Sequence, residues 1–337
     1  MKVLVTGGGG FLGKAIVARL LEKGHSVRSF SRSDYPELRA MGVETQCGDL
    51  NNFTAVDAAV TDCDAVFHAG AKAGISLAYL PYYETNVLGT QNVLDACRRR
   101  EVPKLVYTSS PSVAFAGGDQ EGVDESEPYP AKYTAHYART KAAAERLVLE
   151  ANSPGLSTVT LRPHLIWGPG DTQLIPRILE RARAGTMRII GTGTSLIDAT
   201  YIDNAAYAHL LAFERLAPEE ACAGKAYYIS NDEPMPFAEV VNSILDAAGL
   251  PPVEKHVSLR LAYVVGAVHE VLYRLQRRAG EPVMTRFAAL QMGTAHWYNI
   301  SAAKKDLGYT PIVSMREGMR CLADSLNDVS IEEQATA

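Results

Sequence analysis

The sequence predicts an α/β fold: a doubly wound parallel sheet carrying a smaller, interleaved C-terminal substrate lobe. Three observations lead there. Short β-branched runs alternate with longer helical patterns through the first half, and alternation at this spacing builds a parallel sheet with helices on both faces. Four consecutive glycines, Gly7 to Gly10, stand between the first strand pattern and the first helix pattern. Apolar residues make up 47% of the 337 positions and charged residues 21%, enough for a large core, which excludes a disordered or fibrous chain.

The elements follow in order. Strands are expected at 3–5, 26–30, 43–47, 65–68, 104–108 and 158–161, and helices at 11–22, 52–60, 84–100 and 133–151. After about residue 163 the pattern loosens. Gly168-Pro169-Gly170 makes a turn, helices are expected near 172–184 and 203–215, and a strand at 226–229. Ser314-Met315-Arg316-Glu317 reads as a capping box opening the last helix. The resulting division is 1–165 for the nucleotide-binding part, with some later segments returning to it, 166–330 mainly for the substrate lobe, and 331–337 for a loose tail. The stretch 259–275 is apolar but carries Arg260, His269, Glu270 and Arg274. It reads either as a helix packed on the substrate lobe or as an interfacial helix touching lipid.

Composition removes several function classes. Thirty-three basic against 38 acidic side chains leave a net charge of −5, which gives no general attraction to nucleic acid. Five dispersed cysteines form no C-x-x-C, and no histidine pair has metal-ligand spacing, so neither a disulfide framework nor a metal site is expected. No run of about 18 uncharged apolar residues suggests a spanning helix, and the early glycines do not fit a signal peptide. The expectation is a cytoplasmic protein, with peripheral membrane contact open through 259–275.

The glycines carry the first functional signal. From Gly7 the chain fits G-x-x-G-x-x-G and from Gly8 it fits G-x-G-x-x-G. A flexible turn is the bland alternative, but a strand before and a helix after are the context of a dinucleotide site. Glycine permits the turn and the close approach of a pyrophosphate, and the helix N-terminus meets the anion with free amides. Gly7, Gly10, Phe11, Leu12 and Gly13 are therefore cofactor candidates. After the second strand comes Ser31-Arg32 with no carboxylate before Asp34. A hydroxyl and a cation suit a 2′-phosphate, so NADP(H) is favoured over NAD(H), although a solvated surface arginine would look the same. Asp49 and Leu50, after the third strand, are placed to border the adenine.

Tyr137 and Lys141 stand four apart in a stretch of good helix formers, which puts them on one helix face. The pair is weak evidence alone and gains from the Thr108-Ser109-Ser110 run ending the fifth strand. Hydride transfer to a carbonyl leaves an alkoxide that needs a proton, and a phenol beside an ammonium, its pKa lowered by that charge, can deliver one.

Together these residues resemble the extended short-chain dehydrogenases/reductases, whose Rossmann pattern the chain matches over nearly its whole length. The matching pieces are Thr6-Gly7-x-x-Gly10-x-x-Gly13, Gly48-Asp49-Leu50, Asn86-Val87-x-Gly89-Thr90, Tyr107-Thr108-Ser109-Ser110, Tyr137-x-x-x-Lys141 and Leu161-Arg162-Pro163. The resemblance implies Tyr137 as acid/base, Lys141 on the nicotinamide ribose, Ser110 orienting the substrate oxygen, and Pro163, His164 and Leu165 beside the nicotinamide. Sugar dehydratases of the family carry Asp-Glu after the active-site hydroxyl, where this chain has Pro111 and Ser112.

Gly168-Pro169-Gly170-Asp171, Tyr201-Ile202-Asp203-Asn204 and Asp306-Leu307-Gly308-Tyr309-x-Pro311 are similar to the 3β-hydroxysteroid dehydrogenase branch. Within it, 32–38, 71–74, 165–171 and 295–298 resemble the reductases of branched β-keto acids in bacterial long-chain olefin biosynthesis. That implies NADPH-dependent reduction of a 2-alkyl-3-oxoalkanoate, with the neighbouring olefin-pathway enzymes as partners and a homodimer as the default assembly. A carboxylate on the substrate makes Lys72, His164 and Arg177 its candidate contacts, against the plain reading of surface or internally bonded charges. Oxidation of a 3β-hydroxysteroid or 4-carboxysterol uses the same chemistry, and a non-enzymatic NADP sensor is the remaining alternative.

Overall fold

The computed structural model describes residues 1–276 and 280–336, with side chains as far as residue 328. Seven parallel strands form the central sheet, in the order Lys225–Ile229, Ser157–Pro163, Lys104–Thr108, Ala65–His68, Lys2–Thr6, Ser26–Ser31, Glu44–Cys47. From Lys2–Thr6 the chain winds outward to one edge, then returns to lay Ala65–His68 on the other side of that first strand. Thr6 thereby pairs with Phe30 on one side and His68 on the other. Such a reversal opens a crevice at the carboxyl ends of the strands, and the glycine loop leaves Thr6 into it.

Both sheet faces are covered because the helices repeat apolar residues at three- and four-residue intervals. Ile16, Val17 and Leu20 of Phe11–Glu22 meet Leu210 and Phe213 of Ile202–Arg215 on one face. On the other, Val56 and Val60, Val93 and Cys97, and Val148 come from Phe53–Val60, Gly89–Arg99 and His136–Glu150. A further core, built on Trp167, Ile175, Leu179, Val241 and Ile244, holds the smaller lobe. Segments cross between the halves in both directions. Lys225–Ile229 joins the main sheet beside Ser157–Pro163, while Gln120–Val123 pairs with His296–Tyr298 in a small four-stranded sheet.

Local departures from the sequence reading have local causes. The helix expected at 84–100 starts earlier, α-helical over Tyr79–Tyr82, widens to a π-turn over Tyr83–Leu88, and resumes as Gly89–Arg99. The π-turn contains the buried Asn86, whose amide donates to the Lys72 carbonyl and to Thr140 Oγ1 while its oxygen accepts from the Lys72 amide. The helix expected from 133 starts at His136, because Tyr129 and Tyr133 are drawn off to Glu145 and to the Val113 carbonyl. The capping box is half made: Ser314 Oγ accepts from the Glu317 amide, but the Glu317 carboxylate pairs with Arg320. The last helix runs Met315–Thr336, so 331–336, expected as a loose tail, is helical, in keeping with its glutamate, glutamine and alanine content.

Candidate active site

Glycine is required at both ends of the phosphate loop. Gly7 turns at φ 70°, where a Cβ would lie 2.8 Å from the Gly70 Cα. A Cβ on Gly13 would lie 2.0 Å from the Gly7 carbonyl oxygen, so the helix rests against the turn only because the side chain is missing. Gly10 caps Phe11–Glu22 with no side-chain acceptor, leaving first-turn amides for an anion.

Beside this loop Ser31 Oγ accepts from the Gly9 amide at 3.4 Å. Arg32 is exposed and has no ion-pair partner among the described residues, while Asp34, the first carboxylate after the strand, is taken by Arg39. Gly7, Gly10, Phe11, Leu12, Gly13, Ser31, Arg32, Asp49 and Leu50 line one cleft of about 530 Å³ whose other end is walled by Ser110, Tyr137, Lys141 and Pro163. Leu165, also in this wall, holds a left-handed φ of 43°, a conformation rarely taken by a branched residue.

Tyr137 and Lys141 share the face of His136–Glu150 turned to the end of Lys104–Thr108. Lys141, 2% exposed, donates to the Thr108 carbonyl at 2.5 Å and stands 4.2 Å from the centre of the Tyr107 ring. Burial pulls its pKa down to about 7, with the Glu145 charge one turn later opposing the fall. The Tyr137 phenol is pushed up by burial, opposed by its hydrogen bond with Ser110. The sequence reading expected the ammonium to lower this phenol. It does not, because its contacts are to Thr108 and Tyr107.

Hydrogen bonds hold this end in place. Thr108 Oγ1 donates to His209 Nε2 at 2.8 Å, since His209 Nδ1–H is committed to the Ala205 carbonyl at 2.7 Å. Thr140 Oγ1 bonds the His136 and Tyr137 carbonyls and meets the Asn86 amide. Glu145 is fully buried, accepting from Arg162 at 2.6 Å and from Tyr129 at 2.6 Å. No group of three metal-ligating side chains exists among the described residues.

The three candidate carboxylate contacts are not among the cleft-lining residues. Lys72 lies 5.3 Å from the centre of the Tyr82 ring. His164 turns inward, Nδ1 to the Asp198 carbonyl at 2.8 Å, because neighbours at the end of an extended strand alternate and Pro163 takes the cleft side. Arg177 pairs with Glu281 at 2.8 Å on the surface.

The model of the 3-beta hydroxysteroid dehydrogenase/isomerase family matches residues 4–261, from the first strand through the whole of this constellation. The chain belongs to that family. Within it, the chain is 55% identical to the 2-alkyl-3-oxoalkanoate reductase of Stenotrophomonas maltophilia, over 96% of this chain and 99% of that one. It is 50% identical to the protein of the same name from Shewanella oneidensis, over 96% and 85%. The sterol-4-alpha-carboxylate 3-dehydrogenase (decarboxylating) of Mus musculus is 36% identical over 97% and 91%. Among solved structures, MoeE5 in complex with UDP-glucuronic acid and NAD superposes with a TM-score of 0.76 at 25% identity, covering 98% of this chain and 100% of that one. Gox2253 gives 0.78 at 26%, over 97% and 98%.

As a 3-beta hydroxysteroid dehydrogenase/isomerase family member the chain is an NAD(P)-dependent oxidoreductase, and its cleft fits a dinucleotide: Gly7 and Gly13 leave a cradle that a Cβ would fill. The sequence reading missed Tyr35, Gly70, Ala71 and Thr85 in the wall. Tyr35 covers Gly9, where a Cβ would meet its ring at 2.1 Å. Gly70 and Ala71 follow the fourth strand at the switch point, a position that strand order alone marks as ligand-bearing.

Proposed function

We propose that the protein reduces a 2-alkyl-3-oxoalkanoate to the 2-alkyl-3-hydroxyalkanoate with NADPH. The observation that carries the reading is the end of the cleft, where Ser110, Tyr137 and Lys141 converge opposite the glycine loop. The substrate class rests on the relatives at 55% and 50% identity. When bound, the nicotinamide supplies the hydride. The chain's own part is the proton: Tyr137 donates from its phenol to the carbonyl oxygen as charge develops there, and Ser110 holds that oxygen. Burial keeps the phenol protonated at neutral pH, which suits a donor. Lys141 holds the ribose end of the cofactor. Arg32, exposed and unpaired by any carboxylate among the described residues, supports preference for a 2′-phosphate. A homodimer in the cytoplasm, in contact with the enzymes that make and consume the keto acid, belongs to the same reading.

The test runs the reaction in the oxidative direction, because β-keto acids lose carbon dioxide. Enzyme, NADP⁺ and a long-chain 2-alkyl-3-hydroxyalkanoic acid should give NADPH and ketone, with NAD⁺ poorer and Arg32→Glu reversing that order. Tyr137→Phe should lower turnover about 100-fold or more while leaving NADPH affinity unchanged. Turnover only of a 4-carboxysterol or a 3β-hydroxysteroid would move the substrate to the branch of the mouse relative. Binding without turnover of any of them would leave a sensor.

A further inference from the structure

The helix Leu259–Leu275 packs on its neighbours through one thin stripe. Only Ala262, Gly266 and Glu270 are buried, with Gly266 so close that a Cβ would lie 2.5 Å from the Thr285 carbonyl carbon. Much of the rest is apolar and open to solvent. Leu261, Val264, Val268, Val271, Leu272 and Leu275 are all exposed, Val264 by 57% and Leu275 by 76%. An exposed patch of this kind on a globular protein marks an interaction surface. The family match ends at residue 261, so nearly all of this face lies beyond it.

Charge and width point to what covers the face. Apart from Glu270, the helix Leu259–Leu275 bears only basic charges, Arg260 and Arg274, in a chain whose net charge is −5. Glu270 is turned inward and held by Arg286 at 2.7 Å. The spacing 261, 264, 268, 271, 275 would also suit a coiled coil. However, of the flanking positions, where a coiled coil sets its charge pairs, Val265, Ala267 and Leu272 are uncharged and Arg260 and Arg274 are both basic, which leaves two copies of the helix no opposite charges to pair, and the run is only two heptads long. A broad apolar face edged by arginines is the pattern of a helix lying in the headgroup plane of an anionic lipid surface.

The face also ends at the rim of the cleft. Just beyond it Glu281 accepts from the Ile75 amide at 2.9 Å and pairs with Arg177, and Arg181 donates to the Val283 carbonyl. It thereby joins the 73–75 loop to the helix Leu174–Arg183, and Ala73 and Leu174 both line the cleft. We infer that Leu259–Leu275 docks on an anionic lipid surface and sets the mouth of the cleft against it, so that a long-chain substrate enters from the lipid. The second half of this inference rests on the function proposed above.

The experiment is flotation of the full chain with vesicles of phosphatidylglycerol and phosphatidylcholine, and with phosphatidylcholine alone. The protein should float with the anionic vesicles at least about tenfold more than with the neutral ones. The triple variant Val264→Asp, Val268→Asp, Val271→Asp should lose that binding, and Arg260→Ser with Arg274→Ser should weaken it. Both variants should retain turnover of a short, water-soluble 3-hydroxy acid and lose it on the long-chain acid presented in vesicles. Absence of flotation, equal binding to neutral vesicles, or an unchanged triple variant would overturn the inference. So would a dimer in sedimentation velocity that the triple variant dissociates without any vesicle binding, which would assign the face to a second copy. Flotation needs no turnover, so failure of the proposed reaction leaves the docking result readable.

Discussion

The Lys141 ammonium sits 4.2 Å from the centre of the Tyr107 ring, one residue before the Thr108 carbonyl to which it donates at 2.5 Å. The buried cation is thus met by a ring face and a carbonyl, while the carboxylate one turn away, Glu145, is engaged by Arg162 and Tyr129. That is why its pKa falls to about 7. Between that value and the ordinary lysine value the unfolded chain binds the proton and the folded chain does not, so stability rises with pH across this window. Lys141→Met removes the dependence. Its melting temperature relative to wild type should therefore be level below about pH 7 and decline steadily from about pH 7 to about pH 10, while turnover falls about 100-fold. A difference in melting temperature that stays constant with pH would show that the ammonium is not the titrating group.

Two glycines of the loop, Gly13 and Gly10, tolerate a methyl group differently. At Gly13 a Cβ would lie 2.0 Å from the Gly7 carbonyl oxygen, whereas at Gly10 its nearest contact is that same oxygen at 3.2 Å. Gly13→Ala should weaken NADPH binding at least about tenfold, a loss of about 1.4 kcal/mol or more. Gly10→Ala, needing a shift of only a few tenths of an ångström, should cost clearly less. Titration of NADPH fluorescence against both variants measures this, and equal losses would contradict the contact argument.

Arg162 and Glu145 form a buried pair, 4% and 0% exposed in their side chains. Arg162→Met leaves the carboxylate with the Tyr129 hydroxyl as its remaining side-chain donor and should cost about 3–5 kcal/mol. Adding Glu145→Gln should recover most of that, because the penalty lies in the stranded charge and not in the lost attraction. Urea unfolding of the single and double variants decides it; a double variant no more stable than the single would point to lost packing instead.

What the sequence revealed and what it hid divide along local and distant relationships. The glycine loop and the Tyr137–Lys141 pair were legible because turn chemistry and helix spacing are written in neighbouring residues. The chain carries no local mark that Thr108 will meet His209, 101 positions away, or that Ile75 will meet Glu281, 206 away. Asn86 fitted a helical pattern, yet its amide ties the 71–74 loop to Thr140, which bonds the carbonyl of Tyr137. His164 was chosen for its place beside Pro163, but in an extended chain adjacent side chains face opposite ways.

Four buried histidines make a last prediction. His68 lies between Thr6 and Thr90, and His164 and His209 are each anchored to a carbonyl. Burial lowers their pKa values to about 3, 4 and 4, and that of His296 to about 3. All four stay neutral in the fold below the ordinary 6.5 at which they protonate once unfolded, so their stabilising effect is present above 6.5 and is lost as pH falls. Asp198 opposes them, since burial raises its carboxyl to about 6 and the folded state takes up that proton earlier. Four such histidines against one carboxyl leave a net uptake of protons on unfolding, so stability falls as the pH drops below 6.5. Urea midpoints between about pH 7 and pH 5 should trace that slope. His209→Gln, whose amide can donate to Ala205 and whose oxygen can accept from Thr108 with a small shift of one bond, should lower the slope by about one proton. A wild-type slope near zero would mean that these rings are hydrated and titrate normally.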